Sequence, residues 1–461
     1  MTETINEQNP LGYAPPARLL RKFAVPSIVA MLVTSLYNIV DQIFIGQGVG
    51  YLGNAATNVA FPLSTICLSI ALLIGVGSAS SFSLALGAGE EKRAAQCVGN
   101  ALFMMVTLGI LYMACIQVFL QPLLTAFGAT KEILPYAISY TRITAFGMPL
   151  LIVTNGMSNL ARADGSPRYS MTCMIVGAII NVILDPVFIF LLDMGVAGAA
   201  WATLIGQIFS FVMALCYLTR FEHVKINKNS FRPEWRKCIK IASLGLSNSL
   251  NQLAITLVQI VLNNSLIYYG AQSVYGKEIP LAACGIVMKT NAILISVFVG
   301  ISQGSQPIIG FNYGAKKYDR VKSVYRIAIT CNLALSAVGF LLFQFCPRQI
   351  ISLFGSGDPL YFEFAVMFMR TFLFMVIING VQTISSNFFS AIGKPLKGVF
   401  LSLTRQVIFL IPLILLLPLA FGLNGILYAA PIADSIAFLV SIVMIRLEFR
   451  KMKRLQNPEF S

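Results

Sequence analysis

Long apolar stretches, separated by short polar breaks, follow one another along almost the whole chain. An α-helix rises about 1.5 Å per residue, so about 20 apolar residues in a row can cross the hydrocarbon core of a bilayer. The pattern predicts twelve such helices. Their expected bounds, to within a few residues at each end, are 19–46, 55–86, 95–120, 134–160, 169–192, 197–219, 238–269, 280–310, 325–346, 361–390, 397–420 and 425–445.

The composition agrees with an all-α integral membrane protein. Hydrophobic residues make up 57% of the 461 residues and charged residues only 11%, whereas soluble domains contain about 25% charged residues. A water-soluble globule of this length cannot bury so much apolar surface. Lipid is therefore the expected solvent for most of it.

The positively charged residues are distributed unequally between the loops on the two sides of the membrane. A formal net charge of +15 could by itself indicate a nucleic-acid partner. The Lys and Arg residues instead concentrate in alternate loops and at both termini, the pattern that marks the cytoplasmic side. We therefore expect no nucleic-acid partner, and a multi-pass protein of the inner (plasma) membrane with cytoplasmic tails at 1–18 and 446–461 and a cytoplasmic linker at 220–237.

The chain also repeats itself at an offset of 225 to 228 residues, close to half its length. Gly75, Gly89 and Lys92 match Gly300, Gly314 and Lys317, and the turn Ala163, Gly165 and Pro167 matches Ala391, Gly393 and Pro395. Each half, 19–219 and 238–445, then holds six helices, and an even number makes both halves begin on the same side. The expected fold is two six-helix bundles related by a pseudo-twofold axis along the membrane normal, around a central cavity.

Two acidic residues, Asp41 and Asp185, stand out inside predicted spans. Placing an ionised carboxylate at the centre of a membrane-spanning helix costs about 2.5 to 3.5 kcal/mol. Such a residue is therefore expected to have hydrogen-bonding or charged partners, or to have a function. Both spans run outward and hold the acids at similar depth, so the two can face each other. Polar residues expected near them from helical spacing and depth are Tyr37, Asn38, Asn181 and Thr203.

Desolvation and mutual repulsion favour the protonated form of such a pair, while neighbouring hydrogen-bond donors oppose it. A proton could therefore be exchanged near neutral pH. The alternative is that Asp41 and Asp185 only hydrogen-bond neighbouring helices, as polar groups in membranes often do.

The second half has no copy of this pair, because Leu413 occupies the position that corresponds to Asp185. It has instead Lys289, Arg405 and Asp434 inside apolar spans. A static pair between Asp434 and one of the cations would neutralise charge in lipid. A second coupling relay and a contact for an anionic substrate are the alternatives.

The sequence offers little material for catalysis. His223 is the only histidine and lies in a basic loop, so neither a histidine metal site nor a Ser-His-Asp triad can form. The nine cysteines include no C-x-x-C pair. We expect no enzyme activity and no cofactor.

The chain resembles the multidrug and toxic compound extrusion (MATE) family, in particular its bacterial MepA-type branch, over essentially its whole length. The matching pieces, in sequence order, are Pro26 to Tyr37, Asp41, Phe44 to Gly46, Ala55 and Ala56, Gly75 to Gly89, Gly165, Gly300 to Gly314 and Gly393. The resemblance implies the MATE fold. It also implies a secondary active antiporter that exports amphipathic, often cationic small molecules in exchange for protons or sodium by alternating access.

The resemblance further implies roles for individual residues. Asp41 and Asp185 would bind the coupling proton or Na⁺, the only ion expected to bind. Supporting residues would be Tyr37, Asn181 and Thr203, and candidates for the substrate cavity are Tyr140, Asn155 and Asn38. Pro26 would be a hinge in the first helix, although a proline near a helix start is often simply tolerated.

Within transport, a lipid-linked oligosaccharide flippase and a metabolite or peptide exporter of the same superfamily are the alternatives. A flippase would need a more basic cavity to hold pyrophosphate. The lipid bilayer and a small-molecule substrate are the expected partners of a monomer.

Overall fold

The computed structural model describes residues 9–353 and 359–456. In this part of the chain, eleven helices are long and apolar enough to span a membrane, and a bent helix pair makes a twelfth span. The spans α1 to α12 are, in order, Pro16–Val49, Tyr51–Gly87, Glu91–Val118, Leu134–Ala163, Pro167–Leu191, Gly195–Thr219, Trp235–Gly270, Glu278–Gly314, Tyr318–Phe345, the pair Pro359–Phe372 and Val376–Ala391, Pro395–Phe421, and Leu423–Gln456. The predicted all-α fold of twelve spans in two six-helix bundles is confirmed.

Two of the expected helices differ from the sequence prediction. The tenth span was expected to run unbroken over 361–390, but α10 bends by 49° after Phe372. Hydrogen bonds between residues three apart replace the α-helical bonds between residues four apart at this point. They run from Phe374 N to the Thr371 carbonyl and from Val376 N to the Leu373 carbonyl. At the C-terminus, α12 continues through most of the expected tail 446–461 as far as Gln456, and 457–461 lie outside the described residues.

The N-terminal segment before α1 is bound to the second bundle. Of the expected tail 1–18, residues 1–8 lie outside the described part. The short helix Pro10–Tyr13 follows. Asn312 and Lys317 donate hydrogen bonds to the carbonyls of Leu11 (2.9 Å) and Gly12 (3.0 Å). These bonds connect the start of the first bundle to the end of α8.

The pseudo-twofold relation is visible where α2 and α8 cross. Gly87 packs directly on the carbonyl of Phe311, and Gly314 packs in the same way on the carbonyl of Leu84. Adding 227 to the residue numbers Gly87 and Leu84 gives Gly314 and Phe311, so the pseudo-twofold relation converts one contact into the other. The ungapped sequence match of Gly89 with Gly314 is therefore two residues out of register, because Gly87 is the structural counterpart of Gly314.

A pair of hydroxyl contacts repeats the same symmetry near the middle of the membrane. Ser69 of α2 and Ser249 of α7 are 2.7 Å apart, and Ser296 of α8 and Ser35 of α1 are 2.6 Å apart. The two ends of the described chain lie on one side of the helix bundles, where Asn312 donates to the Leu11 carbonyl (2.9 Å) and Gln456 donates to Asp319 (2.6 Å). We name this side the terminal face. Among the described residues, every side-chain hydrogen bond between the bundles lies at these serine pairs or nearer the terminal face. The bundles are thus closed against each other in the terminal half.

Glycines allow this close contact. Gly245 of α7 lies against the carbonyl of Leu73, and Gly77 of α2 lies against the carbonyl of Ile241. Helices in lipid gain little from apolar burial against each other, so close backbone approach through small residues supplies much of the packing energy.

The linker between the bundles is held by one buried carboxylate. Asp164, at the α4–α5 turn, is fully buried. It accepts hydrogen bonds from the Tyr217 hydroxyl (2.8 Å), Glu222 N (2.9 Å) and His223 N (3.2 Å), and His223 Nδ1 lies 3.2 Å from it. The hydrogen bond to Asp164 raises the pKa of His223 above its usual 6.5.

We expect Gly245→Ala to destabilise the protein by about 1 to 3 kcal/mol, because the added methyl group collides with a backbone carbonyl that cannot move freely. Gly285→Ala in α8 is the matched control, since no atom lies within 4 Å of the position of its added carbon. Thermal unfolding in detergent compares the two variants. Equal stability would contradict the close packing of α2 and α7.

We also expect the difference in melting temperature between the wild type and His223→Gln to depend on pH. Because the folded-state pKa of His223 is raised, its stabilising effect is complete below the unfolded value and disappears as the pH rises through the folded value. Melting curves of both proteins across pH 5 to 9 measure this difference. A difference that does not change with pH would show that the ring does not titrate against Asp164.

Candidate functional site

The site is built around two carboxyl groups in the half of the first bundle opposite the terminal face. Asp41 lies two turns before the end of α1, and Asp185 lies near the end of α5. Their side chains lie near enough to each other to interact electrostatically. Asp185 is fully buried, whereas Asp41 is partly exposed. The structure thus brings together the two acids that the sequence placed at one depth.

The end of α5 is irregular where it carries Asp185. Pro186 follows directly, and the next turn, Val187–Leu191, is π-helical. Proline lacks the N–H that would continue the regular ladder, and a π-turn is a common way to accommodate such a break. This local widening occurs at the acid pair.

Close packing of α5 and α6 positions the supporting polar residues. Gly206 of α6 packs against the backbone of Gly177 on α5. A Cβ atom added at Gly206 would lie only 2.6 Å from the Gly177 carbonyl oxygen. At this separation the Asn181 amide donates to Asp185 (3.2 Å) and also lies 3.3 Å from the Thr203 hydroxyl. The amide therefore links the two helices at the acid pair.

Two tyrosines and an apolar cluster surround the acids. Tyr37 of α1 and Tyr140 of α4 both lie near enough to interact electrostatically with Asp41 and Asp185. The apolar cluster, toward the ends of these helices, consists of Ile45, Ile189 and Ala199, with Phe44 and Tyr140 packed against it. Of the two acids, only Asp41 has exposed surface.

Three buried oxygens of this site have no hydrogen-bond donor among the described residues: Asp41 Oδ1, Asp185 Oδ2 and Asn181 Oδ1. A buried acceptor without a donor is costly. A shared proton would satisfy the carboxyl groups. Oxygen ligands of this kind also suit a hard cation, so the residues fit Na⁺ as well.

Other predicted residues lie outside this cluster. Asn38 is exposed and bonds the Thr34 carbonyl of its own helix (2.9 Å). Asn155 likewise bonds Leu151 (3.0 Å) and lies beside Gly75 of α2. Pro26 lies inside an unbroken α1, so its hinge role stays a prediction.

Sequence reasoning missed a buried cation beside Pro26. Arg162 is only 3% exposed, and its guanidinium donates to the Ser27 hydroxyl (3.1 Å) and to Asn159 (2.9 Å). It makes no ion pair with the described residues. The basic turn at the end of α4 was assigned to orientation alone, and no pattern indicated that Arg162 points inward to α1.

In the second bundle, Asp434 pairs with Arg405 and accepts a further hydrogen bond from Asn379 (3.3 Å). Lys289 makes no ion pair with the described residues and is exposed. It lies two turns from Ser296 and on the same side of α8. Because Ser296 contacts α1, Lys289 is on the side of α8 that faces the first bundle.

Gly300 to Gly304 has the G-x-S-x-G spacing of serine hydrolases, but not their structure. The motif lies inside α8 instead of at a strand-to-helix turn. Ser302 is fully buried and accepts from the Asn387 amide (2.5 Å). The two glycines pack against Ile28 and Ala24 of α1. The motif therefore serves helix packing.

The comparisons with known proteins agree with this architecture. The multidrug export protein MepA of Staphylococcus aureus strain N315 is 24% identical over 443 residues, which cover 94% of each chain. A crystal structure of MATE in the straight conformation has a TM-score of 0.90 at 23% identity and covers 96% of this chain and 98% of its own. One in the bent conformation has a TM-score of 0.88 at 22% identity and covers 98% of both chains.

The family model named MatE matches residues 26–187 and 248–416, one segment in each bundle. These two segments include the acid pair of the first bundle and the Arg405 position of the second. The chain belongs to the MatE family.

Proposed function

We propose that this protein is a cation-coupled antiporter that exports amphipathic, often cationic small molecules across the plasma membrane by alternating access. The observation that carries the proposal is the Asp41–Asp185 pair: the two acids lie close together, Asp185 is buried, and each has an oxygen without a donor among the described residues. Static helix pairing would be expected to supply donors to these oxygens.

The coupling would follow from competition for the acid pair. Asp41 is partly exposed and Asp185 is buried behind it. A proton or Na⁺ bound between them removes their repulsion, whereas a cationic cargo group would take the place of that charge at Asp41. Binding of one partner then lowers the affinity for the other, which is the reciprocal linkage that exchange requires.

The facing state is consistent with this scheme. The positive charge near both chain ends makes the terminal face cytoplasmic in our proposal. The bundles are closed against each other on that side, so the space between their opposite halves, which we name the cleft and which Lys289 faces, would open outward. The coupling ion would then enter from outside, and its binding would favour the opposite facing state.

The charges along the cleft favour a drug-type cargo over a lipid-linked sugar. The first bundle presents an acid, and the Arg405–Asp434 pair of the second neutralises itself. Lys289 is the one unpaired cation on the cleft side of α8 among the described residues. A pyrophosphate carrier would need several such cations, whereas cationic amphiphiles fit an acidic site with apolar walls. The MepA relative, named as a multidrug export protein, supports the same class.

We expect Asp41→Asn and Asp185→Asn each to abolish export driven by an ion gradient, because the amide can neither release a proton nor neutralise Na⁺. Loss of a coupling energy of about 1 to 3 kcal/mol would reduce gradient-driven accumulation about 5- to 150-fold. Proteoliposomes with separately imposed pH and sodium gradients measure this effect and identify the coupling ion.

Asp193→Asn is the matched control, since Asp193 is exposed and its φ of 50° is a conformation that asparagine tolerates. It should transport like the wild type. Full gradient-driven export by Asp41→Asn would remove the proposed mechanism.

We expect the Arg405–Asp434 pair to be static. Arg405→Met alone should cost about 3 to 5 kcal/mol because it leaves a buried carboxylate unpaired, and Arg405→Met with Asp434→Leu should recover most of that loss. Thermal unfolding of the single and double variants, with Lys289→Met as the control, measures the stability. If the double variant is stable but cannot export, the pair is a relay and the static interpretation is wrong.

A further inference from the structure

A cavity of about 350 Å³ opens on the terminal face where the two bundles meet, at the opposite end of the helices from the acid pair. We name it the seam cavity. Part of its floor is apolar and buried, with Ala85 from α2 and Ile392 from the turn after α10. Three cations line its rim: Arg93 of α3, Lys240 of α7 and Lys316 after α8.

The described residues neutralise the positive charge of this cavity only in part. Arg93 pairs with Glu90 at 2.6 Å. Lys240 and Lys316 form no ion pair within residues 9–353 and 359–456. Four other lysines of the same face do have carboxylate partners: Lys237 with Glu234, Lys322 with Asp319, and Lys394 and Lys397 with Glu448. The adjacent Lys317 instead donates to the Gly12 carbonyl (3.0 Å).

The backbone conformation at Lys316 indicates that a lysine is present there for a reason other than its local conformational preference. Lys316 has a φ of 59°, and the bonds from Lys316 N to Tyr313 and from Lys317 N to Asn312 close the end of α8. At the matching end of α2 this position is Gly89, with a φ of 76°. A left-handed conformation is easier for glycine, so lysine occupies this position at a conformational cost.

We propose that the seam cavity binds a phosphate group, held mainly by Lys240 and Lys316. The rings of Tyr313 and Tyr318, with centroids 5.5 Å apart, form another part of its wall. Lysine and arginine are the usual phosphate partners. Basic pockets between helices at the membrane surface are suited to phospholipid head groups. The same chemistry would accept a soluble phosphate.

The two bundles share the walls of this cavity. Arg93 belongs to the first bundle, and Lys240 and Lys316 belong to the second. A phosphate on Lys240 and Lys316 gains the further attraction of Arg93 only while the terminal face is closed, so its binding favours that facing state. This consequence rests on the proposed alternating access, whereas the binding itself does not.

The test measures binding to the purified full-length protein in detergent, without an ion gradient, by titration calorimetry. The two probes are inorganic phosphate and dihexanoyl phosphatidylglycerol. The variant combines Lys240→Gln with Lys316→Gly, because glycine suits the left-handed conformation and keeps the helix end intact. Loss of two charge-assisted hydrogen bonds should weaken binding at least about tenfold.

The control combines Lys131→Gln with Lys277→Gln, two exposed lysines of loops on the opposite face, and should bind like the wild type. Melting temperatures check that both double variants fold. Lipid binding alone, or binding of both probes, supports the site if the seam variant loses it, and the comparison identifies the source of the phosphate. No saturable binding of either probe, or binding retained by the seam variant, would overturn the proposal.

Discussion

The close glycine contact between α2 and α8 is the interaction on which the arrangement of the two bundles depends. Two helices in lipid gain no hydrophobic stabilisation by associating, because lipid is as apolar as their side chains. Dispersion contacts across a short distance between the backbones must hold them together instead. Gly87 and Gly314 provide that separation reciprocally. With Gly77 and Gly245 doing the same for α2 and α7, the terminal half is closed and the opposite half is free to form a cleft.

Each half of the repeat has kept this packing but not the same charges. The contacts at Gly87 and Gly314 and the two serine pairs obey the pseudo-twofold relation. The acid pair does not, since Leu413 replaces Asp185 in the second bundle, where Asp434 is neutralised by Arg405. Under the proposed alternating access, symmetric packing would let the bundles rotate against each other, and the asymmetric charge would confine ion binding to the first bundle. An antiporter built in this way would need only one bundle to respond to the coupling ion.

The features that a lipid environment requires could be predicted from the sequence. The contacts that depend on how the helices pack against each other could not. The spans, the repeat and the common depth of Asp41 and Asp185 follow from hydrophobic length and helical spacing. The bend in α10 did not, because the residues at the break are apolar and leave no mark on the hydrophobic pattern. Likewise, Arg405 and Lys289 are equally plausible partners for Asp434 in sequence, and only the rotation of each helix about its axis selects Arg405.

The same reasoning explains why the seam cavity has no sequence signature. Its cations come from three loops or helix ends, and each one fits the positive-inside pattern separately. Only the tertiary structure shows that Lys240 and Lys316, which form no ion pair with the described residues, border one cavity whose lining residues include no carboxylate. A positive charge placed for orientation can therefore acquire a second use, because closure of the two bundles brings Arg93 of the first to the cavity that Lys240 and Lys316 of the second line. Repulsion across the seam opposes closure, and an anion bound in the cavity would relieve it.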